Sequence, residues 1–71
     1  MVRIKNVKEF KKLIYKKKGV TTYQDIAAAL EVSPSTVTKL LNQRRVYDKT
    51  MTKVAMKLDV EKTAISEVAI Q

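Results

Sequence analysis

"TTYQDIAAALEVSPSTVTKLLNQRR" spans residues 21–45 and holds two apolar repeats of helical period with three residues between them. Tyr23, Ile26, Ala27 and Leu30 follow an i, i+3, i+4, i+7 spacing, and Val37, Leu40 and Leu41 form a second stripe. Thr21 or Thr22 can cap the first helix. Ser33 suits the N-cap of the second. Pro34, the chain's one proline, suits its first position, where a missing N–H has no intrahelical partner. A connection as short as Glu31–Ser33 cannot fold the two helices into an antiparallel hairpin, so it predicts a steep crossing. Close crossing needs a small residue at the contact, and Ala27 supplies it. Val32 is expected to plug the turn, with Ile26, Leu30, Val37 and Leu40 filling the angle.

Working outward, Val7, Phe10, Leu13 and Ile14 share one helical face, with lysines 8, 11, 12, 16, 17 and 18 mostly around the others. Gly19 is placed to end that helix in a left-handed conformation. On the other side, residues 42–47 read as a loop, and Asp48 reads as the N-cap of a fourth helix burying Met51, Val54, Ala55 and Leu58. Asp59 and Val60 break the pattern. A fifth helix is predicted from about Glu61 to Val68, burying Ala64, Ile65 and Val68. Tyr23 and Tyr47 read as half-buried packing residues. The expected fold class is all-α: five short helices around one core, residues 1–71 forming a single domain.

Composition narrows the function. The sequence has no cysteine and no histidine, which removes thiolate metal sites, disulfides and the commonest general base. The seven carboxylates are scattered and mostly sit beside lysines. Neither an enzyme, a metal nor a cofactor is expected. The net charge of +8 is uneven: residues 1–20 carry eight positive and one negative side chains, residues 21–48 balance at three and three, and residues 49–71 net +1. Such an excess points to a polyanion partner, nucleic acid or an anionic membrane surface. No apolar run approaches the roughly 18 residues of a membrane span. The charged start is not followed by the apolar core of a signal peptide, so a cytoplasmic location is expected.

The stretch from Thr22 to Gln43 resembles the helix-turn-helix of the Xre family of Cro-type repressors, in which a pattern close to T-x-E-E-L-A-x-x-L-G-V-S-x-S-T-I-S-x-I-E-N-G-K recurs. The likeness runs through Thr22, Asp25, Ile26, Ala27, Leu30, Val32, Ser33, Ser35, Thr36, Val37, Thr38, Leu40 and Asn42. "VKEFKKLIYKKKGV" is similar to the family's first helix and "KTMTKVAMKLDVEKTAI" to its closing helices, so the resemblance covers about residues 6–67. It implies a compact, five-helix, lambda-repressor-like DNA-binding domain. Residues Val32 to Asn42 are also similar to the LacI-family headpiece. That domain, however, opens almost directly on its first motif helix, whereas a full amphipathic helix precedes the motif here. The sequence departs from the Xre pattern at three places. Glu31 replaces the turn glycine and must adopt a left-handed conformation or a distorted turn, at a cost of about 1 kcal/mol. Gln43 replaces the glycine after the recognition helix, and Tyr23 stands where many members carry a phosphate-contacting glutamine.

A recognition helix enters the major groove by its N-terminal end, where side chains must be short and polar. Ser33 and Ser35 can donate to phosphate or base edges, Pro34 can touch a thymine methyl, and Lys39 can reach guanine O6 and N7 or a phosphate. The resemblance implies base reading by Pro34, Ser35 and Lys39, and Thr38, one turn further on along the exposed face, is expected to read bases with them. The resemblance also implies backbone contacts by Thr22, Tyr23, Ser33, Asn42, Gln43, Arg44 and Arg45. The expected function is sequence-specific double-stranded DNA binding in transcription regulation, as a homodimeric repressor on a palindromic operator. With almost nothing appended to the motif, no sensor domain is expected. The alternative is a protein-interaction module, such as an antitoxin or anti-regulator with secondary DNA binding, whose partner would use an apolar patch in the tail "EVAIQ", residues 67–71. Membrane docking of the basic first helix conflicts with the need for its apolar stripe in the core. An RNA-binding module would carry an aromatic stacking platform that is not evident here.

Overall fold

A computed structural model describes residues 1–69. In chain order the elements are β1 (Val2–Ile4), α1 (Val7–Lys18), α2 (Tyr23–Leu30), α3 (Pro34–Leu41), α4 (Asp48–Leu58), α5 (Lys62–Ile65) and β2 (Ser66–Val68). The fold is mostly helical with a small sheet. That corrects the all-α expectation. β1 and β2 pair antiparallel with Val2 opposite Val68, Arg3 opposite Glu67 and Ile4 opposite Ser66. The pairing joins the two ends of the chain, so no local signal announces it; three residues of alternating burial are too short to stand out.

Each helix terminus has a local cause. Asn6, Thr22 and Ser33 cap α1, α2 and α3, each side-chain oxygen accepting from the backbone N–H three residues on. Gly19 closes α1 at φ 68°. α2, α3 and α4 all end in the same hydrogen-bonded motif without glycine. Glu31, Gln43 and Asp59 sit at φ 56°, 55° and 57°, and the next residue's N–H reaches back to Ala27, Lys39 and Ala55 respectively. Glu31 thus takes the left-handed conformation expected of it. Val32 and Val60, which follow two of these turns, pack against the core.

Two helix assignments change. Tyr47, not Asp48, is the N-cap of α4 and makes no side-chain capping bond; Asp48 is the first helical residue, where its charge favours the helix N-terminus. α5 is a single turn rather than a helix to Val68. The Ser66 hydroxyl and N–H both bond the Lys62 carbonyl, and the chain leaves extended. Ile65 is buried as expected, but Ala64 and Val68 are exposed.

The core is one cluster drawn from every helix and from β1. Ile4, Ile14, Leu30, Val37, Leu40, Met51, Val54 and Leu58 are fully buried, each such side chain contributing about 1.5–3 kcal/mol by leaving water. α2 packs on α3, and α4 lies against α1, α2, α5 and β1. Ala27 is buried, and its carbonyl accepts from Val32 N–H at 3.0 Å. Val46, inside the segment read as a plain loop, is buried and exchanges both backbone bonds with Val2, at 3.0 and 2.8 Å. Tyr47 is 70% exposed and so is not the half-buried packing residue expected, whereas Tyr23, at 42%, keeps about half of its surface covered. No helix among the described residues is long and apolar enough to cross a membrane.

Candidate nucleic-acid interface

α3 buries Val37, Leu40 and Leu41, so its opposite face is turned outward. Ser35, Thr38 and Lys39 lie on that face, and with Asn42 and Arg44 from the end of the helix they line one open concavity of about 640 Å³. Five of the residues singled out in the sequence therefore share one surface. Their local bonds hold them in place. The Thr38 hydroxyl donates to the Pro34 carbonyl at 3.2 Å, and the Asn42 amide donates to the Thr38 carbonyl at 2.7 Å. Each keeps acceptor capacity toward solvent, Thr38 on its hydroxyl oxygen and Asn42 on its amide oxygen. The Arg44 N–H bonds the Lys39 carbonyl at 2.8 Å, which fixes where the arginine leaves the helix. Among the described residues neither Arg44, Arg45 nor Lys39 forms an ion pair.

At the start of α3 the hydroxyls interlock. Ser33 Oγ lies 3.0 Å from both Ser35 Oγ and Thr36 Oγ1, and it accepts from the Thr36 N–H. Ser33 does not join the concavity. It lines a neighbouring groove with Glu31, Val32, Thr36, Lys49, Thr50 and Lys53. The two lysines come from α4 and extend the cationic surface past the start of α3. Sequence reasoning missed them, although their i, i+4 spacing on the outer face of α4 is a readable signal. Glu31 is the acid in this region. The Lys57 ammonium holds its carboxyl below the ordinary value of 4.5, first by a hydrogen bond and then by charge, with Lys53 and Lys18 adding weaker attraction. The bonded pair masks the one negative charge that lines the groove.

Pro34 is exposed at the first position of α3, Thr22 caps α2 through a 3.2 Å bond from the Asp25 N–H, and Tyr23 opens α2. None of these three lines the concavity, and neither does Arg45. Gln43 is the clear departure from the expected set. Its amide nitrogen donates inward to the Ile4 carbonyl at 3.0 Å and, more weakly, to that of Lys5 at 3.5 Å. A donor spent on β1 is not presented to a phosphate. The surface as a whole offers hydroxyls, one amide and unpaired cations, a set that can hydrogen-bond base edges and neutralise phosphates. Compared with protein-family models, curated proteins and solved structures, the chain matches none.

Proposed function

We propose that this chain is a sequence-specific double-stranded DNA-binding regulator of the helix-turn-helix type, similar to Xre-family repressors, with α3 as the element that enters the major groove. The observation that carries the reading is the grouping of Ser35, Thr38, Lys39, Asn42 and Arg44 on one open surface of α3. A chain of net charge +8 presents it, with eight cations among its first twenty residues. Short polar groups near the start of a helix followed by cations at its end suit a groove reached N-terminus first. The lysines of α1 act at longer range, drawing the polyanion in without reading it.

One half-site offers few contacts to so small a surface. Two copies on a two-fold symmetric operator recover affinity by making the second contact intramolecular. Repression follows where the occupied site overlaps a promoter. Selection of bound sequences from a random duplex pool tests the reading. A two-fold symmetric consensus with half-sites about one helical turn apart is the expected result. A pool that stays random after selection removes the DNA-reading role and moves a protein-partner role ahead.

A further inference from the structure

α1 has an outer face that neither the core nor α3 uses. At about 100° of rotation per residue, Lys8, Lys11, Lys12 and Lys18 all fall within about 60° of Tyr15 around the helix. Along the axis the lysines from 8 to 18 span about 15 Å. Phe10 and Ile14 lie on the other side and are buried in the core. Tyr15 itself is 62% exposed, so its ring adds little to the packing. All four lysines are exposed. Among the described residues only Lys12 of the four meets a carboxylate, that of Glu9 at 3.9 Å. No residue of α1 lines the concavity of α3.

We propose that this face binds an unpaired strand of nucleic acid, a base stacking on the Tyr15 ring while the four lysines hold the flanking phosphates. Lysine charge alone suits any polyanion. The ring narrows the class. Bases inside a duplex are already stacked, and the exterior it turns to a convex helix is phosphate and sugar, so a ring at the centre of the patch finds no partner there. A single strand can turn its bases outward, and every base has a face on which an aromatic side chain stacks. An anionic membrane would instead need an apolar stripe to insert. α1 has committed its stripe to the core, where Phe10 is 2% and Ile14 0% exposed. Tyr15 is thus an aromatic stacking surface that was not evident in the sequence. Strand binding on α1 is independent of what α3 reads.

Fluorescence anisotropy with a labelled oligothymidylate of about twelve nucleotides tests the proposal, and an oligouridylate of the same length is the second arm. Either strand bound as follows supports it, and the tighter of the two tells DNA from RNA. Tyr15→Leu keeps bulk and helix propensity at an exposed position, and should bind the strand about tenfold more weakly. Tyr15→Phe keeps the ring and should stay within about twofold of wild type. Both variants should bind duplex as wild type does. Four phosphate contacts to a single strand give a slope near −3 in log K against log salt. A strand of equal length and charge but without bases should bind wild type about as weakly as the intact strand binds Tyr15→Leu. That readout needs no variant to fold. The proposal is overturned if Tyr15→Leu or the abasic strand binds like its parent, because the lysines then act by charge alone. It is equally overturned if Tyr15→Phe falls with Tyr15→Leu, if duplex binding falls in the same proportion, or if Tyr15 governs binding to phosphatidylserine vesicles in place of the strand. Failure of the DNA reading looks different: duplex selection stays random while strand binding that depends on Tyr15 persists.

Discussion

The side-chain amide of Gln43 donates to the main-chain carbonyl of Ile4 at 3.0 Å, tying the end of α3 to the first strand. Gln43 sits at φ 55°, a conformation that glycine adopts freely. A glycine there could not make the bond. The residue therefore carries backbone strain at one end and satisfies a partly buried carbonyl at the other.

Replacing it separates the two effects. Gln43→Ala keeps the strain and strips the Ile4 carbonyl of its partner, so it should cost about 1–3 kcal/mol. Gln43→Gly loses the same bond but relieves about 1 kcal/mol of left-handed strain, and should be the more stable of the two. Urea denaturation of both variants measures the difference. An alanine variant as stable as wild type would show that the bond contributes nothing.

Ala27, on the helix that packs against α3, is 4% exposed. Ala27→Leu adds three carbons at a fully packed position of α2 and should destabilise by about 1–3 kcal/mol through overpacking. The same variant should lose duplex affinity, because α3 is held in place by α2. Thermal melting and a binding titration together decide the point, and wild-type values in both would sink the close-crossing assignment.

Glu31 bears on pH. Its carboxyl is held below 4.5 by Lys57 in the folded protein, so the folded state favours the ionised form. The resulting stabilisation is complete above 4.5 and is lost as pH falls through the lower, folded value. Glu31→Gln should match the pH dependence of wild type above that range and show less of the acid-side decline below it. Melting curves taken at neutral and acid pH check the sign, and a steeper acid loss in the variant would contradict it.

Base reading and phosphate holding should separate by variant. Ser35→Ala and Lys39→Ala are expected to cost about 1–3 kcal/mol each on the selected site and much less on scrambled duplex. Arg44→Ala and Arg45→Ala should weaken both duplexes to a similar degree. They should also flatten the dependence of log K on log salt by about one unit each. If the Ser35 and Lys39 variants lose selected and scrambled binding equally, α3 is not the reader.

Salt should act steeply on the wild-type complex. About six phosphate contacts give a slope near −5 in log K against log salt. Changing Lys16, Lys17 and Lys18 to glutamine should lower affinity for all duplexes alike while leaving the preferred sequence unchanged. A wild-type slope shallower than about −2 would mean that the lysines serve only solvation.

The sequence by itself determined what depends on neighbours three or four residues apart. α1 to α4, their buried stripes and the caps at Thr22 and Ser33 follow from local spacing and local hydrogen bonds, whereas the left-handed turn at Glu31 was expected only from the resemblance to the Xre pattern. So does the outward face of α3, since burying Val37, Leu40 and Leu41 leaves Ser35, Thr38 and Lys39 no other side. Tertiary structure alone decided the sheet. β1 and β2 lie at opposite ends of the chain, each is three residues long, and neither has a strand pattern until the other is beside it. That pairing stops α5 after one turn, leaves Val68 at an open edge, and puts the Ile4 carbonyl where Gln43 must answer it. A side chain read as facing DNA was drawn inward for a physical reason: a partly buried carbonyl without a partner costs more than a surface amide gains from water.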